Sequence, residues 1–177
     1  LSPKKNLLAF VYGKGIYRLD KNIWTLTCSA EGEFKDVAIR NIFITSSSDT
    51  LLASGRGLLI QKNGKIENYS TEGNSTAGLN VFCIEQFNSS IWFGTDKGAY
   101  KINNGSLTHF NSKNGLTENN VYFIFKDQEN NLWFASDADG IFKFKENNLS
   151  FYDKSFGLVN PTIMGVSQTT DGNIYAA

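Results

Sequence analysis

The chain has 177 residues, with 17 basic and 17 acidic side chains mixed along its length, so its formal net charge is zero. The chain is long enough to bury a sizeable core, and by length alone it would form one domain. Because it has no basic stripe, we expect neither nucleic acid nor an anionic membrane as a partner. It contains no run of eighteen apolar residues, so any membrane span is expected in segments outside it.

The N-terminal part of the chain contains three predicted strands, each short and apolar and each followed by turn residues. They cover Leu7 to Tyr12, Ile16 to Leu19 and Trp24 to Cys28. Three longer units follow, in which the same pattern is preceded by one more strand. They cover Arg40 to Tyr69, Val81 to Phe110 and Val121 to Tyr152. Thr162 to Ala177 then repeats only the beginning of such a unit.

These units repeat at a nearly constant spacing, which indicates one repeated architecture. A pair of apolar residues marks the second strand at Leu7-Leu8, Leu51-Leu52, Ile91-Trp92, Leu132-Trp133 and Ile174-Tyr175, at spacings of 44, 40, 41 and 42 residues. A glycine follows each of the first four pairs, at Gly15, Gly57, Gly98 and Gly140. Tight hairpins need the positive backbone angles that glycine provides. Four short strands in about 40 to 45 residues are typical of a β-propeller blade.

The sequence therefore predicts an all-β protein built from propeller repeats of four antiparallel strands, with about four blades' worth of chain. We expect residues 1–177 to form a partial propeller, with incomplete blades at 1–30 and 162–177 and complete blades at 39–70, 81–110 and 121–153. The first strand of each blade is apolar on both faces and is predicted to be buried on both sides. The fourth strands are more polar, as an outer edge should be.

Two arrangements of the partial propeller are open. The strand predicted at Ile163 to Ser167 could complete the N-terminal blade and close a four-bladed ring. The alternative is an open arc that pairs with a second copy of the chain through its edges. The open arc is favoured, because the strand predicted at Ile174 to Ala177 has no place in a closed ring.

The sequence shows no catalytic constellation, no metal-ligand cluster and no phosphate-binding loop, so we expect no cofactor. His109 lies beside Phe110 on a predicted outer strand, where a structural role is expected. Cys28 and Cys83 fall in different blades, so they are predicted to be core residues rather than a disulfide. The stretch 137–140 is superficially like a calcium loop but lacks the glutamate at the twelfth position.

The unit GLTENNVYFIFKDQENNLWFASDADGIFKF, residues 115–144, resembles the two-component regulator propeller repeat. The matching positions are Gly115-Leu116, Val121, Asp127, Asn131, Leu132-Trp133-Phe134 and Gly140-Ile141. The preceding copy matches at Gly78-Leu79, Val81, Ile91-Trp92-Phe93-Gly94-Thr95 and Gly98, and the last at Asp171-Gly172-Asn173-Ile174-Tyr175. Before about residue 75 the likeness weakens, since Leu51-Leu52-Ala53-Ser54-Gly55 has no tryptophan.

In that family the repeats build rings of roughly seven blades. These rings form the periplasmic sensor of hybrid two-component histidine kinases that regulate polysaccharide use. The resemblance implies that this chain is a periplasmic fragment of such a sensor, which recognises an oligosaccharide and carries no enzymatic activity of its own. The remaining blades, the membrane span and the histidine kinase are then expected outside the 177 residues.

Propeller ligands are expected on the face where the second-to-third strand turns meet the loops that connect successive blades, since polar groups converge there. On that face lie Lys14, Asn80 and the predicted ligand-binding residues Arg56, Asp96, Lys97, Asn119, Asn120, Asp137 and Asp139. Carboxylates, amides and guanidinium groups hydrogen-bond sugar hydroxyls or carboxylates. The alternative for each is a solvated turn residue. Trp92 and Trp133 are predicted to be inter-blade core rather than sugar-stacking platforms.

Two other functions are compatible with the repeats. One is a stand-alone propeller that acts as a scaffold or lectin. The other is a propeller enzyme similar to the streptogramin lyases, which would require a histidine-bearing site, and His109 on an outer strand is badly placed for one. The Gly-Leu and Asp-x-x-x-Asn-Leu-Trp features favour the sensor over the lyase.

Overall fold

The computed structural model of the chain describes residues 7–71, 73–117 and 119–177. Its strands form successive antiparallel sheets in which each strand pairs with the next along the chain. The first sheet contains β1 (Leu7–Val11), β2 (Gly15–Asp20) and β3 (Ile23–Ser29). The second contains β4 (Ile39–Ile44), β5 (Thr50–Ser54), β6 (Gly57–Lys62) and β7 (Lys65–Asn68). A short hairpin of β8 (Ser70–Thr71) and β9 (Asn74–Ser75) follows, which the sequence did not predict.

The third and fourth sheets repeat the same order. The third contains β10 (Val81–Phe87), β11 (Ser90–Thr95), β12 (Gly98–Asn103) and β13 (Ser106–Phe110). The fourth contains β14 (Val121–Lys126), β15 (Leu132–Ser136), β16 (Ile141–Lys145) and β17 (Asn148–Tyr152). The last sheet pairs β18 (Val166–Gln168) with β19 (Ile174–Ala176). Short 3-10 turns lie at Gly32–Phe34, Ser112–Asn114 and Lys154–Phe156.

The hydrophobic core is divided into layers between neighbouring sheets. Leu51 and Leu58 of the second sheet pack with Val81 and Phe93 of the third. A further layer, between the third and fourth sheets, joins Trp92, Val121 and Phe134 among others. The first strands β4, β10, β14 and β18 pack beside one another in sequence order. This radial stacking confirms the all-β propeller predicted from the repeat.

The most deeply buried strand of a sheet is the second one, not the first as predicted. Every residue of β5 and of β15 is buried. In contrast, Ile44 on β4 is 43% exposed and Phe123 on β14 is 37% exposed. The first strands contact one another along the inner edge of the arc, which borders the space that we call the central channel. Part of their apolar surface remains exposed.

The glycine at each second-to-third strand turn is required by two constraints. Gly98 and Gly140 have φ values of 92° and 84°, which side chains with a β-carbon rarely adopt. A β-carbon at Gly98 would also lie 2.4 Å from the Phe110 carbonyl oxygen, and one at Gly140 would lie 2.3 Å from that of Tyr152. The repeated glycine therefore allows the fourth strand to approach the turn closely.

A β-bulge interrupts the first strand near its beginning in three sheets. The register shifts between Ile39 and Asn41, between Val81 and Cys83, and between Val121 and Phe123. The extra residues are Arg40, Phe82 and Tyr122. Such a bulge re-aims a side chain without ending the strand pair.

The last sheet differs from the prediction in where its first strand begins. The strand was predicted at Ile163 to Ser167, but β18 starts at Val166. Met164 and Gly165 both donate backbone hydrogen bonds to the Ala177 carbonyl oxygen, at 2.7 and 3.1 Å. Met164 and Gly165 therefore both lie opposite Ala177, and the regular pairing of the two strands begins only at Val166.

The arc is open in the part of the chain that the structure describes. Among those residues β18 pairs only with β19, and β1 pairs only with β2. The ring closure considered for Ile163 to Ser167 therefore does not form within the chain. None of the described residues belongs to a helix long and apolar enough to cross a membrane.

Candidate functional site at the channel mouth

Backbone hydrogen bonds join the connecting loops to the second-to-third strand turns on one face of the arc. The Asp96 amide donates to the Asn80 carbonyl at 3.3 Å, and the Asp137 amide donates to the Asn120 carbonyl at 2.9 Å. The same contact therefore recurs in the third and fourth sheets. It holds each connecting loop against the second-to-third strand turn of the same sheet.

The side chains of Asn120 and Asp137 belong to one hydrogen-bonded cluster in the fourth sheet. Asn120 Nδ2 donates to Tyr122 Oη at 2.8 Å and to Asp137 Oδ2 at 3.3 Å. Tyr122 Oη donates to the same carboxylate oxygen at 3.3 Å. Thr162 Oγ1 donates to Asp137 Oδ1 at 3.2 Å. The carboxylate is therefore fixed from both sides before any ligand arrives.

The bulge residues Arg40, Phe82 and Tyr122 form a continuous row that we call the channel row. The Arg40 guanidinium carbon lies 5.0 Å from the centre of the Phe82 ring. The rings of Phe82 and Tyr122 meet edge to face, with centroids 5.1 Å apart. Arg40 Nη1 also donates to Asn80 Oδ1 at 2.7 Å and to the Val81 carbonyl at 2.9 Å. The row therefore joins the first strands of three sheets beside the central channel.

Sequence reasoning missed the channel row because a first strand reads as one continuous apolar run. The pattern does not show which residue the bulge turns toward the channel. A signal was present, since Phe82 and Tyr122 each stand two residues after a loop asparagine, Asn80 and Asn120. Aligning the repeats at those asparagines would have singled out the position.

The other predicted site residues are not part of this cluster. Asp139 Oδ2 instead accepts hydrogen bonds from the Thr117 hydroxyl and, at 2.7 Å, from Asn119 Nδ2. No hydrogen bond from the described residues reaches the side chains of the remaining three, Arg56, Asp96 and Lys97. Arg56 and Lys97 are exposed, and Asp96 is half-buried. The structure thus pairs Asn120 with Asp137 and Asn119 with Asp139, and leaves the other three separate.

The aromatic and histidine side chains considered in the sequence have structural roles. Trp92 is fully buried and Trp133 is 8% exposed, so both are core residues as predicted. The ring of His109 stacks on Tyr100 with centroids 4.2 Å apart, and His109 Nε2 lies 2.6 Å from the Lys97 carbonyl oxygen. These contacts hold His109 against β12 and the turn before it.

The described residues contain no cluster of three or more His, Cys, Asp or Glu side chains that could hold a metal ion. Cys28 and Cys83 are both buried free thiols. Burial raises the pKa of the Cys83 thiol to about 12. The reactive form of cysteine is the thiolate, which burial therefore disfavours at Cys83.

The repeated antiparallel sheets and their packing in sequence order place the chain in the class of β-propeller proteins. A sequence profile described as "Two component regulator propeller" matches residues 115–138, which run from the loop before β14 to the turn after β15. The resemblance to this repeat is therefore confirmed for residues 115–138. No curated protein matches the chain by sequence.

Similar solved structures agree with the fold. An extracellular domain assigned to a hybrid two component system of B. thetaiotaomicron is 22% identical over 97% of this chain, with a TM-score of 0.73. PorZ, a surface component of the type-IX secretion system of Porphyromonas gingivalis, is 16% identical over 93% of the chain, with a TM-score of 0.69. Virginiamycin B lyase of Staphylococcus aureus is 17% identical over 92%, with a TM-score of 0.67.

The chain spans only part of each of these proteins. It covers 24% of the B. thetaiotaomicron domain, 28% of PorZ and 55% of the lyase. At these identities the likeness establishes the propeller fold alone.

Proposed function

We propose that the chain is part of the periplasmic propeller of a hybrid two-component sensor histidine kinase, and that it recognises an oligosaccharide. The match at residues 115–138 and the likeness to the extracellular domain from B. thetaiotaomicron support this assignment. In this proposal the sheets are blades of one larger ring, divided at 1–30, 39–70, 81–110, 121–153 and 162–177. Ligand binding would be transmitted to a kinase across the membrane through segments outside this chain.

The observation that carries the proposal is the preordered chemistry of the channel row. Arg40 uses Nη1 for two contacts within the protein, and the described residues accept no hydrogen bond from its Nη2 or Nε. A guanidinium group with free donors binds sugar hydroxyls or a sugar carboxylate. The fixed carboxylate of Asp137 supplies acceptors at the same mouth. Arg56, Asp96 and Lys97 are proposed as further contacts on this face.

The proposal is tested by measuring the melting temperature of the chain with a panel of neutral and acidic oligosaccharides. A ligand that binds only the folded state raises this temperature. We expect a rise with at least one oligosaccharide, and we expect Arg40→Met to abolish it. Arg18→Met, which removes an exposed arginine from the first sheet, is the matched control and should retain the rise. No rise with any glycan, or an undiminished rise in Arg40→Met, would contradict the proposal.

A lyase-type enzyme is the less favoured alternative, despite the shared fold. The sequence has one histidine, and its ring is already stacked on Tyr100 and bonded to the Lys97 carbonyl. A stand-alone lectin or scaffold propeller would contain the same channel row. The stand-alone propeller and the sensor are distinguished by the sequence on either side of this chain in the full reading frame, because only a sensor requires a membrane span and a kinase.

A further inference from the structure

A groove of about 570 Å³ lies outside the channel row, between the fourth sheet and the loop that joins β13 to β14. Its floor is apolar, since Leu116 and Phe142 line it and are each 6% exposed. Phe151 on the outer strand β17 also lines it but is 53% exposed. We call this feature the outer groove. Its volume falls in the range of small-molecule sites.

The exposed ring of Phe151 is held in position by two other aromatic rings. Its centroid lies 6.3 Å from that of Phe142, with the ring planes tilted by 38°. The Phe156 ring meets it nearly at right angles, at 6.5 Å. An aromatic side chain fixed in this way, yet half accessible to solvent, provides a rigid apolar surface for a ligand.

The polar groups around the outer groove present free acceptors. Asp139 and Asp153 both line it. Asp139 Oδ2 accepts from Thr117 and Asn119, while Oδ1 receives no hydrogen bond from the described residues. Asp153 Oδ1 accepts from the Ser155 amide at 2.8 Å, and Oδ2 likewise receives none from that part of the chain. No described residue that lines the groove is Lys, Arg or His.

The third sheet shows why the space is open in the fourth sheet. His109 occupies in β13 the position that Phe151 occupies in β17, since Tyr100 pairs with His109 and Phe142 with Phe151. His109 Nε2 reaches the carbonyl of Lys97, which is the repeat equivalent of Asp139. That bond ties the outer strand to the turn. Phenylalanine cannot make it, so the corresponding space beside Asp139 stays open.

We propose that the outer groove is a second saccharide site, and that its ligand is a neutral or amino-bearing sugar unit. A sugar ring presents an apolar C–H face that packs on Phe151 and a polar edge that donates hydrogen bonds. Hydroxyl and ammonium groups suit free carboxylate oxygens, since a charged acceptor makes strong hydrogen bonds. Uronic acids, sulfated sugars and phosphates would face two carboxylates with no lining cation and are rejected. This site is separate from the channel row and makes no use of Arg40.

The test is a titration of the isotope-labelled chain followed by amide chemical shifts. The probes are the disaccharide of glucosamine, cellobiose, digalacturonic acid and a short lysine-rich peptide. We expect the first two to shift the signals of Leu116, Asn119 and Phe151, and the digalacturonic acid to leave them in place. Shifts of these signals with digalacturonic acid, with the peptide alone, or with none of the probes would overturn the proposal.

Matched variants identify the groups responsible. Phe151→Ala removes the exposed ring and should weaken glucosamine-disaccharide binding about tenfold, since part of a phenylalanine's apolar surface is lost from the contact. Asp139→Asn replaces a free acceptor with an amide and should weaken it by a similar factor, about tenfold. Trp24→Ala, which removes a 45% exposed aromatic ring elsewhere, is the control and should leave binding unchanged. Equal affinity in Phe151→Ala and the unaltered chain would exclude the outer groove.

The two sites are separated by one further variant. Arg40→Met disrupts the channel row and should leave the outer-groove shifts unaltered. If Arg40→Met and Phe151→Ala each abolish the same shifts, the chain has one site and the outer groove is not independent. If the outer-groove signals shift but no oligosaccharide gives a melting-temperature rise that depends on Arg40, the second site is supported and the proposed function of the channel row is contradicted.

Discussion

The third and fourth sheets carry a tryptophan at the same repeat position and stabilise it in different ways. In the fourth sheet, Trp133 Nε1 donates to Asp127 Oδ2 at 2.7 Å. Asn131 secures the same carboxylate, through its backbone amide to Oδ1 and its side-chain amide to Oδ2, both at 2.6 Å. A buried polar network therefore satisfies the indole N–H.

In the third sheet, aromatic packing replaces that network. Trp92 Nε1 has no hydrogen-bond partner among the described residues. The indole instead lies 4.7 Å from the Phe110 ring, 5.2 Å from Phe144 and 5.5 Å from Phe134, measured between centroids. The place of Asp127 is taken by Phe87, which is 7% exposed. The comparison shows that the repeat requires a large aromatic side chain there and that apolar contacts can replace its polar partner.

The largest expected difference in stability between the two sheets comes from the close backbone approach at Gly94. Gly94 in β11 and Ala135 in β15 occupy the same register position, opposite Cys83 and Phe123. A β-carbon at Gly94 would lie 2.2 Å from the Val121 carbonyl oxygen and 2.8 Å from Cys83 Sγ. Because a backbone atom cannot move aside, Gly94→Ala should lower the free energy of unfolding by roughly 3 kcal/mol in urea denaturation.

The matched change at Ala135 tests that reason. Ala135→Gly adds no atoms and should lower the free energy of unfolding by about 1 kcal/mol or less. Equal losses in Gly94→Ala and Ala135→Gly would show that the close approach of Val121 does not determine the residue at this position.

The polar network of the fourth sheet gives the next largest effect. Asp127→Asn leaves one acceptor oxygen in place of two, so either the Asn131 backbone amide or the pair Asn131 Nδ2 and Trp133 Nε1 loses its acceptor. Leaving a buried donor unsatisfied should cost about 2 kcal/mol in the free energy of unfolding. Phe87→Leu, the apolar counterpart in the third sheet, should cost less, about 1 kcal/mol. If Asp127→Asn were as stable as the unaltered chain, the network would contribute nothing to stability.

The pH dependence of stability should show the smallest of these effects. Burial opposes ionisation of Asp127, but hydrogen bonds from Asn131 and Trp133 and the nearby Lys143 hold its pKa below the ordinary value of 3.8. The folded state therefore favours the carboxylate. This stabilisation is present above the unfolded pKa and is lost as the pH falls through the lower folded pKa.

Urea denaturation between pH 7 and pH 3 measures this contribution when the unaltered chain is compared with Asp127→Asn. The unaltered chain should lose more stability on acidification than the variant does. Parallel losses in the two proteins would assign the acid sensitivity to other carboxylates.

Much of the fold could be predicted because the sequence repeats its turn chemistry as well as its apolar pattern. Gly98 and Gly140 each mark a turn where backbone geometry leaves no other choice. The prediction that the first strands are buried on both sides was wrong, because periodicity cannot show which strand of a blade borders the channel. The channel row was missed for a related reason, since a bulge at Phe82 or Tyr122 leaves no mark in a continuous apolar run.

The outer groove also could not be predicted from the repeat. It depends on a single difference, phenylalanine at position 151 where the preceding repeat has His109. In a sequence this appears as a neutral exchange on a polar outer strand. Only the structure shows that the histidine bonds to a turn carbonyl and that the phenylalanine leaves the equivalent space open.

The most direct test of sugar recognition at the channel row is a crystal structure of the chain soaked with the oligosaccharide that raises its melting temperature most. We predict electron density for an oligosaccharide that contacts Tyr122 and has sugar units within hydrogen-bond distance of Arg40 and of Asp137. Density confined to the outer groove, or contacts that include none of these three side chains, would contradict the proposed site.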